Sequence, residues 1–339
     1  MKIAALTQGQ SIPSARFRIR QLIEPLQSTG IRIDELVGRP GAYPPPGTAD
    51  RLGWAAAALG DTARRVWRSR RYDTCIVQRE LISTLPSLES WTGRPMVADI
   101  DDAIWLNRGG HAARHLANAA DHIVVGNNFL AEHFGRYGKP VSVIATAVDV
   151  ERFRPAARHP AAPRVIGWSG TWGGYEYFEP LQDALAALLR RHPDWRLRFV
   201  SDRPPTLERL PAAQVEYRPW SPDTEAALSA DMDIGLMPLD DSLWSLGKCS
   251  YKMLLYMACG VPVVATDLGM NRDILAMREV GLGVRTPQDW ADALETLIGD
   301  DAQRQRMGRA GRDLVVERFS LPTVADQWRQ VLATLPTRR

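Results

Sequence analysis

The chain has little of what builds disulfide frameworks or metal clusters. Its 339 residues include three cysteines, Cys75, Cys249 and Cys259, odd in number and far apart. No C-x-x-C or Cys/His ligand spacing occurs, which excludes a disulfide scaffold and a structural zinc site and suits the reducing cytosol. No window offers the roughly 20 apolar residues that a membrane helix needs. The opening run, MKIAALTQG, is too short for a signal-peptide core and has the pattern of a buried strand. H-E-x-x-H and G-x-S-x-G are both absent, and the six histidines show no nucleophile–base spacing. A strong charge of either sign is also missing. The net charge of +3 argues against a dedicated nucleic-acid binder.

Lysine is the least used charge. Of 42 basic residues only four are lysine, and two of those, Lys248 and Lys252, stand four positions apart. They fall in DMDIGLMPLDDSLWSLGKCSYKMLLYMACGVPVVAT, which has the pattern strand, polar loop, helix, tight turn, strand. Ser250 is placed to cap the helix, Gly260 to end it, and VPVVAT is a β-branched strand of the buried type. Unpaired N–H groups at a helix start, with two compact ammonium groups beside them, suit a diphosphate. The plainer alternative is two solvated lysines on a loop.

Strands and helices alternate through the first half, from MKIAALTQG to VSVIATAV, as in a doubly wound parallel sheet. DVERFRPAARHPAAP, with three prolines, forms a linker. The alternation then restarts with RVIGWSG, and S-G-T-W-G-G follows that strand and opens a helix. Its glycines can let backbone approach a phosphate, or can simply make a tight turn. WRLRFVSD, QVEYRPW, DIGLMPL and VPVVAT supply further strands, and SPDTEAALSAD a short helix capped by Ser221. The length suits two domains, here 1–155 and 156–318, with 319–339 a final helix packing back toward the first. In two such domains a ligand belongs in the cleft between them, at the carboxyl ends of the strands.

Three constellations carry possible chemistry. Asp99-x-Asp101 at the end of a strand has the form of a metal-binding D-x-D, but the diphosphate candidate lies in the other half. Asp101 and Asp102 suit sugar hydroxyls better, and one aspartate can cap the next helix. Arg16, Arg18 and Arg20 follow the first strand. They share a face if extended, and Arg16 and Arg20 share one if helical, so either way they can meet an anionic acceptor. Residues 51–71 hold six arginines against one acid, Asp61, and suit an anionic membrane face or an ordinary solvated helix.

Taken together, GKCSYKMLLYMACGVPVVATDLGMNRDIL, SARFRIRQLIEPLQSTGI, VADIDDAIWL, IGWSGT and MGRAGRDLVVERFS resemble the family 4 glycosyltransferases, especially bacterial members that build surface polysaccharide. The resemblance implies an α/β GT-B fold, two Rossmann-like domains facing across a cleft. It implies a retaining transferase of hexosyl type, a nucleotide-sugar substrate, a glycan or lipid-linked acceptor, and no essential metal or other cofactor. By position, Lys248 and Lys252 hold the diphosphate, with Ser169, Gly170, Thr171, Cys249 and Ser250 around the donor and Trp220 near the nucleobase. Asp101 lies near the transferring sugar and shares the catalytic role with the two lysines. Arg16, Arg20 and Asp102 face the acceptor. The expected location is cytoplasmic, peripheral at the inner face of the cell membrane. The chain departs from the family where E-x7-E would put glutamates, having Gly247 and Leu255, and the Arg/Lys pair expected near SGTWGG is absent. A silent GT-B binding domain, or an epimerase or phosphorylase on the same fold, is the alternative.

Overall fold

The computed structural model describes residues 1–10, 12–41, 44–157 and 163–336. Residues 42–43 of the Pro/Gly-rich loop and 158–162 of the linker lie outside the described residues. The chain divides into two compact units. The first comprises Met1–Ala147, the three residues Gly247–Cys249 and the segment from Leu321. The second comprises Val148–Leu246 and Ser250–Ser320.

The N-terminal unit is built on a parallel sheet. Its strands are β1 (Lys2–Thr7), β2 (Arg32–Val37), β3 (Thr74–Gln78), β4 (Met96–Ile100), β5 (His122–Val125) and β6 (Val141–Val143), in the order β2-β1-β3-β4-β5-β6. Ala5 lies opposite Ile76 and Val77 opposite Ala98. Every residue of β3, β4 and β5 is buried, as expected of parallel strands covered on both faces. The helices Gln21–Gln27 and Leu321–Ala333 pack on one face, where Leu22, Leu26, Val324 and Trp328 join Ile3, Ile19 and Val97 in one core.

The second unit repeats the plan. Here β7 (Arg164–Ser169), β8 (Trp195–Ser201), β9 (Val215–Pro219), β10 (Ile234–Met237), β11 (Val263–Thr266) and β12 (Gly281–Val284) take the order β12-β11-β10-β7-β8-β9. Counted within the unit this is 3-2-1-4-5-6, the dinucleotide-binding order, with its switch point between β7 and β10. Trp168, Phe178 and Phe199 meet edge to face beneath it, with centroids 5.0 to 6.1 Å apart.

Several expectations are corrected. VADIDDAIWL is not one strand: β4 stops at Ile100 and a 3-10 turn takes Ile104–Leu106. VSVIATAV is strand only over Val141–Val143. The helix expected from Tyr175 starts as a 3-10 stretch, Trp172–Leu181, and becomes α-helical at Gln182, just past Pro180. Ser221 does not cap the helix Glu225–Ala230, whose cap position is Thr224. Its hydroxyl instead accepts from Thr224 N at 3.3 Å. Helix Gly269–Met277 and β12 were not expected at all.

Candidate functional site

In the N-terminal unit, charge gathers where β3 and β4 end. Arg79 follows β3 with a φ of 58°, a conformation that non-glycine residues avoid and that clusters at functional sites. Its Nε donates to Asp101 Oδ1 at 2.5 Å, and its Nη2 donates to Asp102 Oδ2. Lys248 Nζ donates to the other Asp102 oxygen at 3.0 Å. Burial opposes charge on Asp102, yet Arg79 and Lys248 hold its carboxyl below the usual carboxylate range. A carboxyl held low in the folded state stabilises above its unfolded value, and that contribution is lost as pH falls through the folded one. Asp102→Asn should therefore flatten the acid loss of stability as pH falls below about 4, read from denaturation midpoints. An unchanged slope would remove Asp102 from the acid response.

Asp99 is not half of a metal-binding pair. It is wholly buried, and Arg18 closes on it, with Nε donating to Oδ2 at 3.2 Å and Nη2 to Oδ1 at 2.5 Å. Arg18 Nη1 donates to Ile144 O at 2.7 Å. The extended reading of Arg16–Arg20 fails too: helix starts at Pro13 and passes into a π-helical turn over Arg16–Arg20. Arg20 serves the scaffold. Its Nε donates to Glu35 at 2.7 Å and its Nη atoms to Gln10 O and Gly9 O at 2.6 and 2.8 Å. Arg16 lies over the Phe17 ring, 4.6 Å from its centroid.

Gly247–Cys249 belongs to this same unit, so Lys248 sits with Asp102 and Lys252 belongs to the other unit. Asn127 fixes the segment by donating Nδ2 to Lys248 O at 3.0 Å, while its Oδ1 caps the helix Asn128–Phe134 through Leu130 N at 2.9 Å. Cys249 is buried. Its Sγ donates to Asp101 O at 3.1 Å, and burial pushes the thiol well above its ordinary range, so it is no nucleophile. A side chain at position 247 has no room, since a Cβ there would lie 2.7 Å from Ala103 Cβ and 2.8 Å from Ala103 N. Leu255 is buried in its helix. Neither position of the expected E-x7-E motif presents a carboxylate.

In the C-terminal unit, Ser169, Gly170 and Lys252 come together at the β7/β10 switch point. Ser169 N donates to Tyr256 Oη at 2.7 Å, and Gly170 N donates to Val200 O at 3.0 Å. A Cβ at Gly170 would lie 2.6 Å from Lys252 Cε, so the missing side chain leaves space for the lysine stem. Lys252 Nζ stands over the Trp168 ring, 5.8 Å from its centroid. Gly170 and Gly174 thus make room for the protein's own Lys252 and Trp168. Thr171 precedes the 3-10 stretch, where Trp172 N donates to Asp202 Oδ1 at 2.8 Å. Trp220 follows β9, at the far edge of the sheet from β12. Ser250 does not cap the helix Tyr251–Ala258: its backbone is left-handed, at φ 48°, and its hydroxyl donates to buried Asn271 Oδ1 at 2.7 Å.

Arg79, Asn127 and Asn271 were missed from the sequence. Arg79 had one usable signal, its place directly after a β-branched strand, where ligand residues collect.

Residues 163–300, the greater part of the C-terminal unit, match the family described as Glycosyl transferases group 1. Over that span the chain is similar to the group 1 glycosyltransferases. The chain is 26% identical over 273 residues to a D-inositol 3-phosphate glycosyltransferase of Corynebacterium urealyticum, a match covering 69% of this chain and 63% of that protein. The chain thus spans less than two thirds of that relative's length. Sucrose-phosphate synthase from Thermosynechococcus elongatus shares its fold with a TM-score of 0.73 at 15% identity, over 98% of this chain and 99% of that one. Anabaena Alr3699/HepE in complex with UDP and glucose does so with a TM-score of 0.73 at 17% identity, over 99% and 100%. The chain has the GT-B fold, with two Rossmann-like units.

Proposed function

We propose that the chain is a retaining hexosyltransferase that moves sugar from a nucleotide-sugar to a glycan or lipid-linked acceptor in surface-polysaccharide synthesis. The observation that carries the donor reading is the helix entrance at Tyr251: not capped by the Ser250 side chain, following β10 at the switch point, with Lys252 laid along Gly170. Backbone N–H groups and one ammonium there meet the charge that grows on a departing diphosphate. The group 1 match and a fold shared with HepE, solved with UDP-glucose, support a UDP-sugar. Lys248 changes role in this reading. Held by Asp102, it joins Asp101 and Arg79 in an acceptor-side cluster of the N-terminal unit. No metal is required, because helix N–H groups and the Lys252 ammonium meet the diphosphate.

No described helix is long and apolar enough to cross a membrane. The helix Thr48–Ser69 exposes Leu52, Leu59 and Trp67 with arginines alongside, which supports docking at an anionic lipid face. A second reading, a silent binding domain, is favoured by the bare positions 247 and 255. A screen of UDP-, GDP- and TDP-sugars for binding and donor hydrolysis, with and without EDTA, separates the two. The transferase reading expects binding on the order of micromolar to millimolar and turnover that survives EDTA. Binding without turnover supports the silent domain, and no nucleotide binding at all removes the transferase reading.

A further inference from the structure

The N-terminal unit contains a basic cavity that the donor and acceptor assignments leave unused. It lies between the carboxyl ends of β1 and β2 and the helix Thr48–Ser69, with a volume of about 580 Å³. Four arginines line it: Arg39 after β2, and Arg64, Arg65 and Arg68 from the helix. The acids nearby are already engaged. Glu35 accepts from Arg20 at 2.7 Å through Oε2 and from the Thr7 hydroxyl at 2.5 Å through Oε1. Asp61 is buried and shared between Arg64 at 2.7 Å and Arg65 at 2.8 Å. Arg65 also donates to Thr7 O at 3.1 Å, so it is part of the wall. Arg39 and Arg68 form no ion pair among the described residues, and both are exposed.

Arg39 and Arg68 carry guanidinium charge on one cavity with no acid paired to it among the described residues, and such groups repel one another unless an anion joins them. The floor is built for close approach: a Cβ at Gly38 would lie 2.7 Å from Gln8 O, so only glycine lets the β2 loop lie against the β1 loop. We propose that this cavity is an anion site for a phosphoryl group, gripped by Arg39 and Arg68 with Arg64 in support. It is distinct from the donor site at Lys252, and its failure would leave the transferase reading standing. The phosphoryl group can come from a soluble phosphorylated ligand or from a lipid headgroup.

The test titrates the full-length chain with inorganic pyrophosphate by calorimetry, and separately sediments it with vesicles of phosphatidylglycerol in phosphatidylcholine. Wild type is compared with Arg39→Gln/Arg68→Gln and with Lys252→Ala, each checked by thermal melting. Both arginines are exposed, so the double variant should melt like wild type. In Lys252→Ala, where the donor site no longer competes for the probe, pyrophosphate should still bind, and adding Arg39→Gln/Arg68→Gln should weaken that binding at least roughly tenfold. If vesicle binding alone depends on Arg39 and Arg68, the phosphoryl group is a lipid headgroup. If neither probe responds to the double substitution, the site does not exist.

Discussion

Arg18→Ala should destabilise the N-terminal unit by about 3–5 kcal/mol, among the largest losses a single substitution gives here. Asp99 is wholly buried between apolar Ala98 and Ile100, in a strand buried along its full length. The carboxylate is tolerated because Arg18, 2% exposed, meets both its oxygens. Removing the guanidinium leaves a charge with no water and no partner, and also orphans Ile144 O. Burial already pushes the Asp99 carboxyl upward, with Arg18 opposing it. Without Arg18 the folded value rises further above the unfolded one, so the folded state binds a proton more tightly. The variant's deficit should then grow as pH rises above about 4, the ordinary carboxylate value. Arg18→Met with Asp99→Leu removes both charges at similar volume and should recover most of the loss. Urea midpoints over that pH range decide it: a pH-independent loss under about 1 kcal/mol would show that Asp99 is not carrying a buried charge.

The buried pair also shows what a sequence can and cannot tell. Alternating β-branched runs disclosed all six strands of the first sheet and five of the second, because a parallel strand buried on both faces is a continuous apolar word. β12, with the sequence Gly-Leu-Gly-Val, carries no such word. Gly281 is there because a Cβ would strike the Val263 backbone, a requirement of sheet packing that only coordinates reveal. Lys252 was legible from lysine scarcity and from its place at a helix start. Lys248, four residues earlier, had the same signals and belongs with Asp102 instead. Sequence spacing fixes neighbours along a helix, but residues 247–249 precede the helix, and a loop takes its partners from tertiary contacts. Arg18, Asp99 and Asp101 illustrate the same limit. Period-two spacing put Asp99 and Asp101 on one face, yet the strand ends at Ile100 and the two carboxylates diverge, one into the core and one to Arg79.

Lys252→Ala should lower turnover of the nucleotide-sugar by about 10² to 10³-fold, the size of effect seen when one preorganised charge donor at a developing anion is lost. The expectation rests on position. Lys252 lies in the first turn of Tyr251–Ala258, and its stem runs where Gly170 has no side chain. The indole of Trp168 beneath the ammonium further restricts where that charge can sit. A cation held this way needs no reorganisation as the glycosidic bond breaks, so its loss should appear mainly in kcat, with a smaller change in KM. Lys252→Arg keeps the charge but brings a planar fork to a stem fitted within 2.6 Å of where a Cβ at Gly170 would stand. It should recover less than about a tenth of the lost rate. Lys248→Ala, by contrast, frees one oxygen of Asp102 and should act chiefly on acceptor KM. Equal kcat losses from the two lysines would return Lys248 to the donor diphosphate, and full turnover in Lys252→Ala would falsify the electrostatic role altogether. Melting curves of the variants against wild type separate either result from misfolding, since Lys252 is only half-buried and Lys248 retains 28% side-chain exposure.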